Sequence, residues 1–300
     1  MTAGAPPRRP WMVSLHGGHS GEFCEHAAGT LEEVLEAAVA RGFGVFGVTE
    51  HAPRSAARFL YPEEVEKGWS VGDLERDFTA YAGRSAELAA AFAGRLTVLR
   101  GFEAEVVPEA SWAREMAGHR RRHRFDYTVG SVHHVDEVQI DGRPEQLAEV
   151  VRGRGGLAAA EVAYYRAVER MVETLRPEVV AHFDLIRKLA APFGRLDGAA
   201  GRRAAERALQ AVAAAGSILD VNTAGLRTGL GHPYPAPWIV RRAAAMGIPF
   251  CFGDDSHGPA MVGDGIEAAR DYLLAHGVGA ITVLERGDGA LVHRAVSLEP

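Results

Sequence analysis

Cysteine is nearly absent from this chain: Cys24 and Cys251 are the only two in 300 residues. Two thiols cannot staple a disulfide scaffold or build a centre from several thiolates, and so sparing a use suits a reducing, cytoplasmic compartment. No apolar run approaches the length of a membrane span. The first ten residues, Met1 to Pro10, lack the apolar heart of a signal peptide and read as a flexible arm. Positive charge is short as well: 33 basic residues stand against 39 acidic ones, for a net charge of -6. That is the wrong sign for tracking a nucleic-acid backbone by bulk electrostatics. No glycine-rich dinucleotide fingerprint opens a helix after a strand, and there is no internal repeat or low-complexity tract. What is there is 47% hydrophobic sequence, enough for one large core, and residues 11–300 are expected to form a single domain.

The chain repeats one pattern. A short apolar segment, Trp11 to Leu15, reads as a strand and runs into His16-Gly17-Gly18-His19 and then His26. Three imidazoles within eleven positions lie on a loop whose glycines let the backbone bend so that they converge. Imidazole is the commonest neutral metal ligand. Thr30-Leu31-Glu32-Glu33 is a capping box opening a helix that Gly42 stops. Phe43 to Val48 then reads as a buried parallel strand delivering Thr49-Glu50-His51 at its carboxyl end. The same succession recurs four times with catalytically useful ends: Leu96 to Phe102 into Glu103-Ala104-Glu105, Phe125 to Val132 into His133-His134, Pro177 to Ala181 into His182-Phe183-Asp184, and Ile248 to Phe252 into Gly253-Asp254-Asp255-Ser256-His257. Ser217 to Val221 is a further strand, ending in Asn222-Thr223-Ala224-Gly225-Leu226-Arg227.

Helical sequence is expected over 73–93, 109–124, 144–175 with a break at 153–156, 198–215, 237–246 and 259–276. Residues 52–70 hold two prolines and no clear period, and read as a long loop, a lid or a pocket wall. Ala280 to Leu284 is an eighth apolar run, and Ala290 to Leu298 a terminal strand or hairpin arm.

Strand alternating with helix makes an α/β protein with a parallel sheet, and the number of units favours a closed barrel over an open one. In such barrels the ends of several strands build the active site at the carboxyl face. The groups gathered there would be His16, His19, His26, His51, Glu103, His133 or His134, His182, Asp255 or Asp254, and His257. One divalent ion takes roughly three to six ligands, so this set implies two or three ions, with Glu103 able to bridge a pair about 3.5–4 Å apart.

These pieces resemble the PHP (polymerase and histidinol phosphatase) domains, over nearly the whole chain. The match rests on the His16/His19 pair, His26, Thr49-Glu50-His51, Gly101-Phe102-Glu103, Ser131-Val132-His133-His134, Ala181-His182-Phe183-Asp184 and Asp255-Ser256-His257. The resemblance implies a distorted (β/α)7 barrel with a trinuclear metal centre at the carboxyl face of the strands. By it, His16, His19, Glu103 and Asp255 hold one ion, Glu103, His133 and His182 a second, and His26, His51 and His257 a third, the ions being zinc, manganese or iron. Glu103, Asp255 and His257 are then the residues nearest the chemistry. The family's first pair is usually His-x-His, whereas two glycines part His16 from His19 here, so the extra residue is expected to bulge. Within the family, Thr49-Glu50-His51-Ala52-Pro53, His182-Phe183-Asp184-Leu185-Ile186-Arg187-Lys188, the run from Asn222 to Arg227, and Tyr234-Pro235 look like the histidinol-phosphate phosphatase branch.

The implied reaction is hydrolysis of a small phosphate ester, L-histidinol phosphate first, by a water that two ions share and acidify. Arg227 offers a planar fork suited to phosphate, with Arg187 and His232 as further substrate-binding candidates. A salt-bridged structural role is the plain alternative for Arg227, Arg187 and Lys188. The leaving alkoxide would take its proton from a water or Asp254, while Cys24, inside the cluster, reads first as a small buried filler and only second as a thiolate ligand. The partner is a small-molecule phosphate ester, with neither membrane nor nucleic acid, and a homo-oligomer is open. Two other readings stand beside this one: a phosphoesterase for another small ester or nucleotide, and a non-catalytic module whose metal merely locks the barrel.

Overall fold

The computed structural model describes residues 9–288 and 290–299. The first eight residues of the arm expected over 1–10 therefore lie outside the described residues. Strands β1 (Val13–Ser14), β2 (Val45–Val48) and β3 (Thr97–Arg100) pair in parallel in that order. Gly101 and Phe102 interrupt the third strand, which resumes as β4 (Glu103–Ala104) and pairs with β5 (Val129–Gly130). An antiparallel hairpin, β6 (His134–Val135) and β7 (Val138–Gln139), then leaves the ring. The ring continues through β8 (Val179–Val180), β9 (Ile218–Asn222) and β10 (Phe250–Gly253), all parallel. It returns to its start where Leu15 N–H donates to Phe252 O at 2.8 Å and Asp255 N–H to His16 O at 3.0 Å. With β3 and β4 counted as one broken strand, this is a distorted (β/α)7 barrel.

Helices follow the strands because the signals read from the sequence operate. Thr30 caps α1 (Leu31–Arg41) in a reciprocal box with Glu33, and Gly42 ends it at φ 84°, a left-handed turn that glycine takes without strain. Around the ring run the short α2 (Pro62–Glu66), α3 (Val71–Ala91), α4 (Trp112–His123), α5 (Pro144–Gly153), α6 (Leu157–Leu175), α7 (Ala199–Ala215), one turn of α8 (Ala224–Arg227), α9 (Pro237–Ala245) and α10 (Ile266–Ala275). Their apolar faces and the strands form one core that reaches from Trp11 to Leu298. Among the described residues no helix is long and apolar enough to cross a membrane.

Below the site, Tyr127 plugs the barrel. Its hydroxyl donates to Leu15 O at 2.7 Å, and a Cβ on Gly47 would stand 1.9 Å from that hydroxyl oxygen, so the glycine makes the room. Where β3 breaks, the Tyr81 hydroxyl lies 2.7 Å from Val48 O and 2.8 Å from Gly101 O.

The eighth apolar run forms β11 (Ala280–Arg286), antiparallel to β12 (Leu291–Ser297), which is the terminal arm expected over 290–298. Two expectations are corrected. The His133-His134 end does not simply stop but enters the hairpin. Nor is 52–70 loop throughout, for it contains a 3-10 turn and α2, held by a buried Arg54–Glu64 ion pair and by the Arg54 guanidinium 3.8 Å above the Tyr61 ring. Those anchors join residues seven and ten apart, which no local period reveals.

Candidate metal centre

Each side chain of the site lies at a strand end or on the loop that follows one. After β1 the two glycines curl at φ 143° and 72°, conformations costly to any other residue, and a Cβ at Gly17 would fall 2.2 Å from Asp254 Oδ1. The extra residue is thereby absorbed: His16 and His19 both point inward, ring centroids 6.3 Å apart. His182 and Asp255 also sit in the left-handed region, at φ 24° and 48°. Non-glycine residues held there cluster at functional sites.

Glu103, 1% exposed, is the hub. Its Oε1 lies 3.4 Å from His16 Nε2, 3.4 Å from His133 Nε2 and 3.1 Å from His182 Nε2, and Ser131 Oγ donates to it at 2.5 Å. Its Oε2 lies 2.9 Å from His51 Nδ1 and 3.9 Å from His19 Nε2. Asp255 Oδ1 is 3.9 Å from His19 Nε2 and 3.7 Å from His257 Nδ1. His26, exposed at the rim, His51 and His257 cluster beyond, with His257 stacked 4.2 Å from His19.

An outer rank of carboxylates grips the backs of the rings. His16 Nδ1 meets Asp220 at 2.8 Å, His19 Nδ1 meets Glu50 at 3.0 Å, and His133 Nδ1 meets Glu105 at 2.8 Å. A carboxylate can only accept, so each of these rings carries its proton on Nδ1 and turns the Nε2 lone pair inward, the tautomer a metal requires. The Nε2 atoms of His16, His19 and His51 are buried without a hydrogen-bond partner among the described residues. Buried polar atoms in native proteins are almost always satisfied, so these mark where a cation fits. Donor atoms within 4.8 Å of one another occur in His16–His19–Glu103, His16–His182–Asp255, His19–Asp255–His257 and Glu103–His133–His182.

The buried acids and imidazoles of the cluster offset one another's charge. Burial opposes the charge on His16 and His133, yet Glu103 and Asp255 lift the first well above its ordinary value, and Glu105 and Glu103 push the second up to about 10. Burial likewise opposes the charge on Glu103, which His16, His51 and His133 hold far below the usual carboxylate range. His257 is carried down to about 3 by burial and by its neighbour His19. A cation arriving here would displace the imidazole protons.

A family model described as the PHP domain matches residues 16–224. The chain belongs to the PHP domain family. Of curated relatives, this PHP domain is 31% identical over 280 residues to a Schizosaccharomyces pombe protein named "Probable histidinol-phosphatase", covering 92% of this chain and 90% of that one. It is 28% identical to the Saccharomyces cerevisiae histidinol-phosphatase, covering 86% and 87%. In fold it matches a Lactococcus lactis histidinol phosphate phosphatase solved with zinc, L-histidinol and phosphate, with a TM-score of 0.65 over 90% of this chain and 95% of that one. At 19% identity the last likeness speaks for the fold.

Above the hub the PHP domain opens a cavity of about 350 Å3. Of the substrate-binding candidates, Arg227 lines it, its guanidinium fixed by Thr223 Oγ1 at 3.2 Å and by the Asp254 and Asp255 carbonyls at 2.9 Å each. Arg187 and His232 are not among its lining residues. Arg187 is drawn away into ion pairs with Asp184 and Asp197, and His232 is turned onto its own chain, Nδ1 donating to Pro233 O at 2.7 Å. Asp254 does not line the cavity either, because Ser14 Oγ at 3.1 Å and Gly263 N–H at 2.7 Å occupy its two oxygens, while Asp255 faces inward. His133 faces Glu103, whereas His134 turns to Glu105 at 3.4 Å and packs on Phe59.

Sequence reading passes over Glu50 and Asp220 as working groups and leaves Glu105 open between an exposed place and one supporting the site, although two signals exist. Glu103 and Glu105, like Asp220 and Asn222, stand two apart on a strand end and so share a face. It also passed over Asp141, which lines the cavity and accepts from Lys188 at 3.2 Å. Burial opposes the Asp141 charge, but His133 and Lys188 bring its carboxyl below the ordinary range.

Proposed function

We propose that this PHP domain is a metal-dependent phosphomonoesterase that hydrolyses L-histidinol phosphate to L-histidinol and phosphate. The observation that carries the proposal is the pair of buried, unpartnered Nε2 atoms of His16 and His19, turned by Asp220 and Glu50 toward Glu103 at the floor of an open cavity. Rings that merely lock a barrel have no need of an opening to solvent. The substrate is suggested by the relatives named for that activity.

In this proposal His16, His19, Glu103 and Asp255 hold one divalent ion, Glu103, His133 and His182 a second, and His26, His51 and His257 a third, drawn from zinc, manganese and iron. When bound, such ions supply Lewis acidity that offsets the charge of the phosphate oxygens and makes hydroxide available near neutral pH. Glu103 serves two positions, since its two oxygens face different imidazoles. Arg227 and Lys188 put positive charge on the cavity wall where a phosphate dianion approaches. Asp141, on the same wall, is placed to take the ammonium group of histidinol. Residues 11–300 form the unit that carries the activity.

The test is phosphate release by the purified protein loaded with manganese, zinc or iron. Histidinol phosphate is compared with a panel of sugar and nucleotide monophosphates, and a marked preference for histidinol phosphate is expected. Comparable turnover across the panel rejects the substrate, and no turnover with any metal rejects the enzyme.

A further inference from the structure

Cys24, which sequence reading treats as a filler, lies on the loop after β1 at 5% exposure, two residues before His26. Its Sγ is 3.4 Å from His26 Nδ1 and 3.5 Å from His26 Nε2. Together with one nitrogen each from His26, His51 and His257 it forms a set of donor atoms all within 4.8 Å of one another. Zinc bonds of about 2.3 Å to sulfur and about 2.05 Å to imidazole nitrogen, opened at the tetrahedral angle, put those two ligand atoms about 3.5 Å apart. That is the spacing found between the thiol and the His26 ring. The three rings surround a common point, with centroids 4.8 Å apart for His26 and His257, 5.3 Å for His26 and His51, and 5.8 Å for His51 and His257. His51 Nδ1 faces Glu103 Oε2 at 2.9 Å, but its buried Nε2 has no hydrogen-bond partner among the described residues, a mark independent of the thiol contact.

Resting on the metal-centre proposal, we infer that Cys24 is the fourth ligand of the ion held by His26, His51 and His257, making that position a tetrahedral site of three nitrogens and one sulfur. The sites around Glu103 draw only on nitrogen and oxygen, so the centre combines positions of different softness. A thiolate selects zinc over manganese or magnesium, and coordination removes the thiol proton outright. Four protein ligands also fill a zinc ion's usual coordination, leaving open positions for substrate to the ions nearer Glu103. The consequence is a centre that tolerates exchange of its oxygen-rich ions while keeping zinc at the sulfur-bearing one.

The experiment loads metal-free protein with cobalt(II) in stoichiometric steps, for the full chain and for Cys24→Ser, and follows the absorption spectrum and the bound metal content. The expected result is an intense sulfur-to-cobalt charge-transfer band in the near ultraviolet for the unaltered chain, absent from Cys24→Ser. The serine variant still binds cobalt with visible ligand-field bands, and its zinc affinity at one site falls by at least the roughly 10–100-fold typical of losing even an outer partner of a metal ligand. Cys251, fully buried in β10, is the internal control. Cobalt-loaded protein with ligand-field bands but no sulfur band, or a sulfur band surviving in Cys24→Ser, overturns the inference and leaves the metal centre standing. Failure to bind cobalt at all brings down both.

Discussion

Replacing Asp220 by asparagine tests whether the outer carboxylates do what their positions suggest. The Asp220 carboxylate receives His16 Nδ1 at 2.8 Å and Asn222 Nδ2 at 3.0 Å, and both it and His16 are fully buried. Gly253, paired with Asn222 on β10, makes the room: a Cβ there would stand 2.3 Å from Asp220 Oδ1. Asparagine keeps the shape and one acceptor oxygen, so the ring remains held while the charge that raises its basicity is lost. Losing such a partner costs roughly 10–100-fold in metal affinity, or about 1.4–2.7 kcal/mol. The dryness of this pair places the expectation in the upper half of that range, since no solvent screens it. Zinc competition against a chromophoric chelator measures the loss site by site, and circular dichroism of the metal-free protein guards against misfolding. Two results would refute the reasoning: binding as tight as in the unaltered chain, or a loss shared equally with the His26–His51–His257 position, which Asp220 does not touch.

Asp141→Asn is expected to raise KM for histidinol phosphate about tenfold or more while leaving turnover of p-nitrophenyl phosphate, which has no ammonium group, nearly unchanged; equal effects on both esters would remove Asp141 from substrate recognition. Arg187→Ala strands the fully buried Asp184 carboxylate and should cost about 3–5 kcal/mol in a denaturant titration without altering KM. A raised KM at unchanged stability would return Arg187 to the substrate. Gly47→Ala drives a methyl into the Tyr127 hydroxyl and should cost about 2–5 kcal/mol, partly recovered by adding Tyr127→Phe; a neutral Gly47→Ala would show that the plug is loosely packed.

The barrel was legible because parallel strands buried on both faces read as short apolar runs, and because a polar cluster at each carboxyl end is a pattern that chance seldom repeats. Capping residues such as Thr30 and Gly42 marked helix boundaries for local reasons that hold in any context. The hairpin after His133 was not legible: its turn places Asp136 and Glu137 at φ 55° and 61°, where glycine or asparagine would have announced it. Arg187 and His232 were named for their neighbours in the chain, but adjacency does not say where a long side chain points, and Asp184 and Asp197 claim the first. The anchors of 52–70 and the outer carboxylates share one difficulty. Each depends on a contact that no local period encodes: within one irregular segment for Arg54, and between strand ends brought into register for the carboxylates.

The two ranks of the centre come from the alternation of an extended chain: at the end of β4 Ala104 separates Glu103 from the next inward carboxylate, Glu105, just beyond the strand, and on β9 Val221 separates Asp220 from Asn222. A single residue gained or lost inside either strand would therefore turn a methyl or an isopropyl group toward the mouth and bury the acids in oil. The turn after β1 obeys no such parity, and there the chain carries a spare glycine without losing either imidazole. Length variation among descendants of this sequence should accordingly gather in the loops and spare the strands.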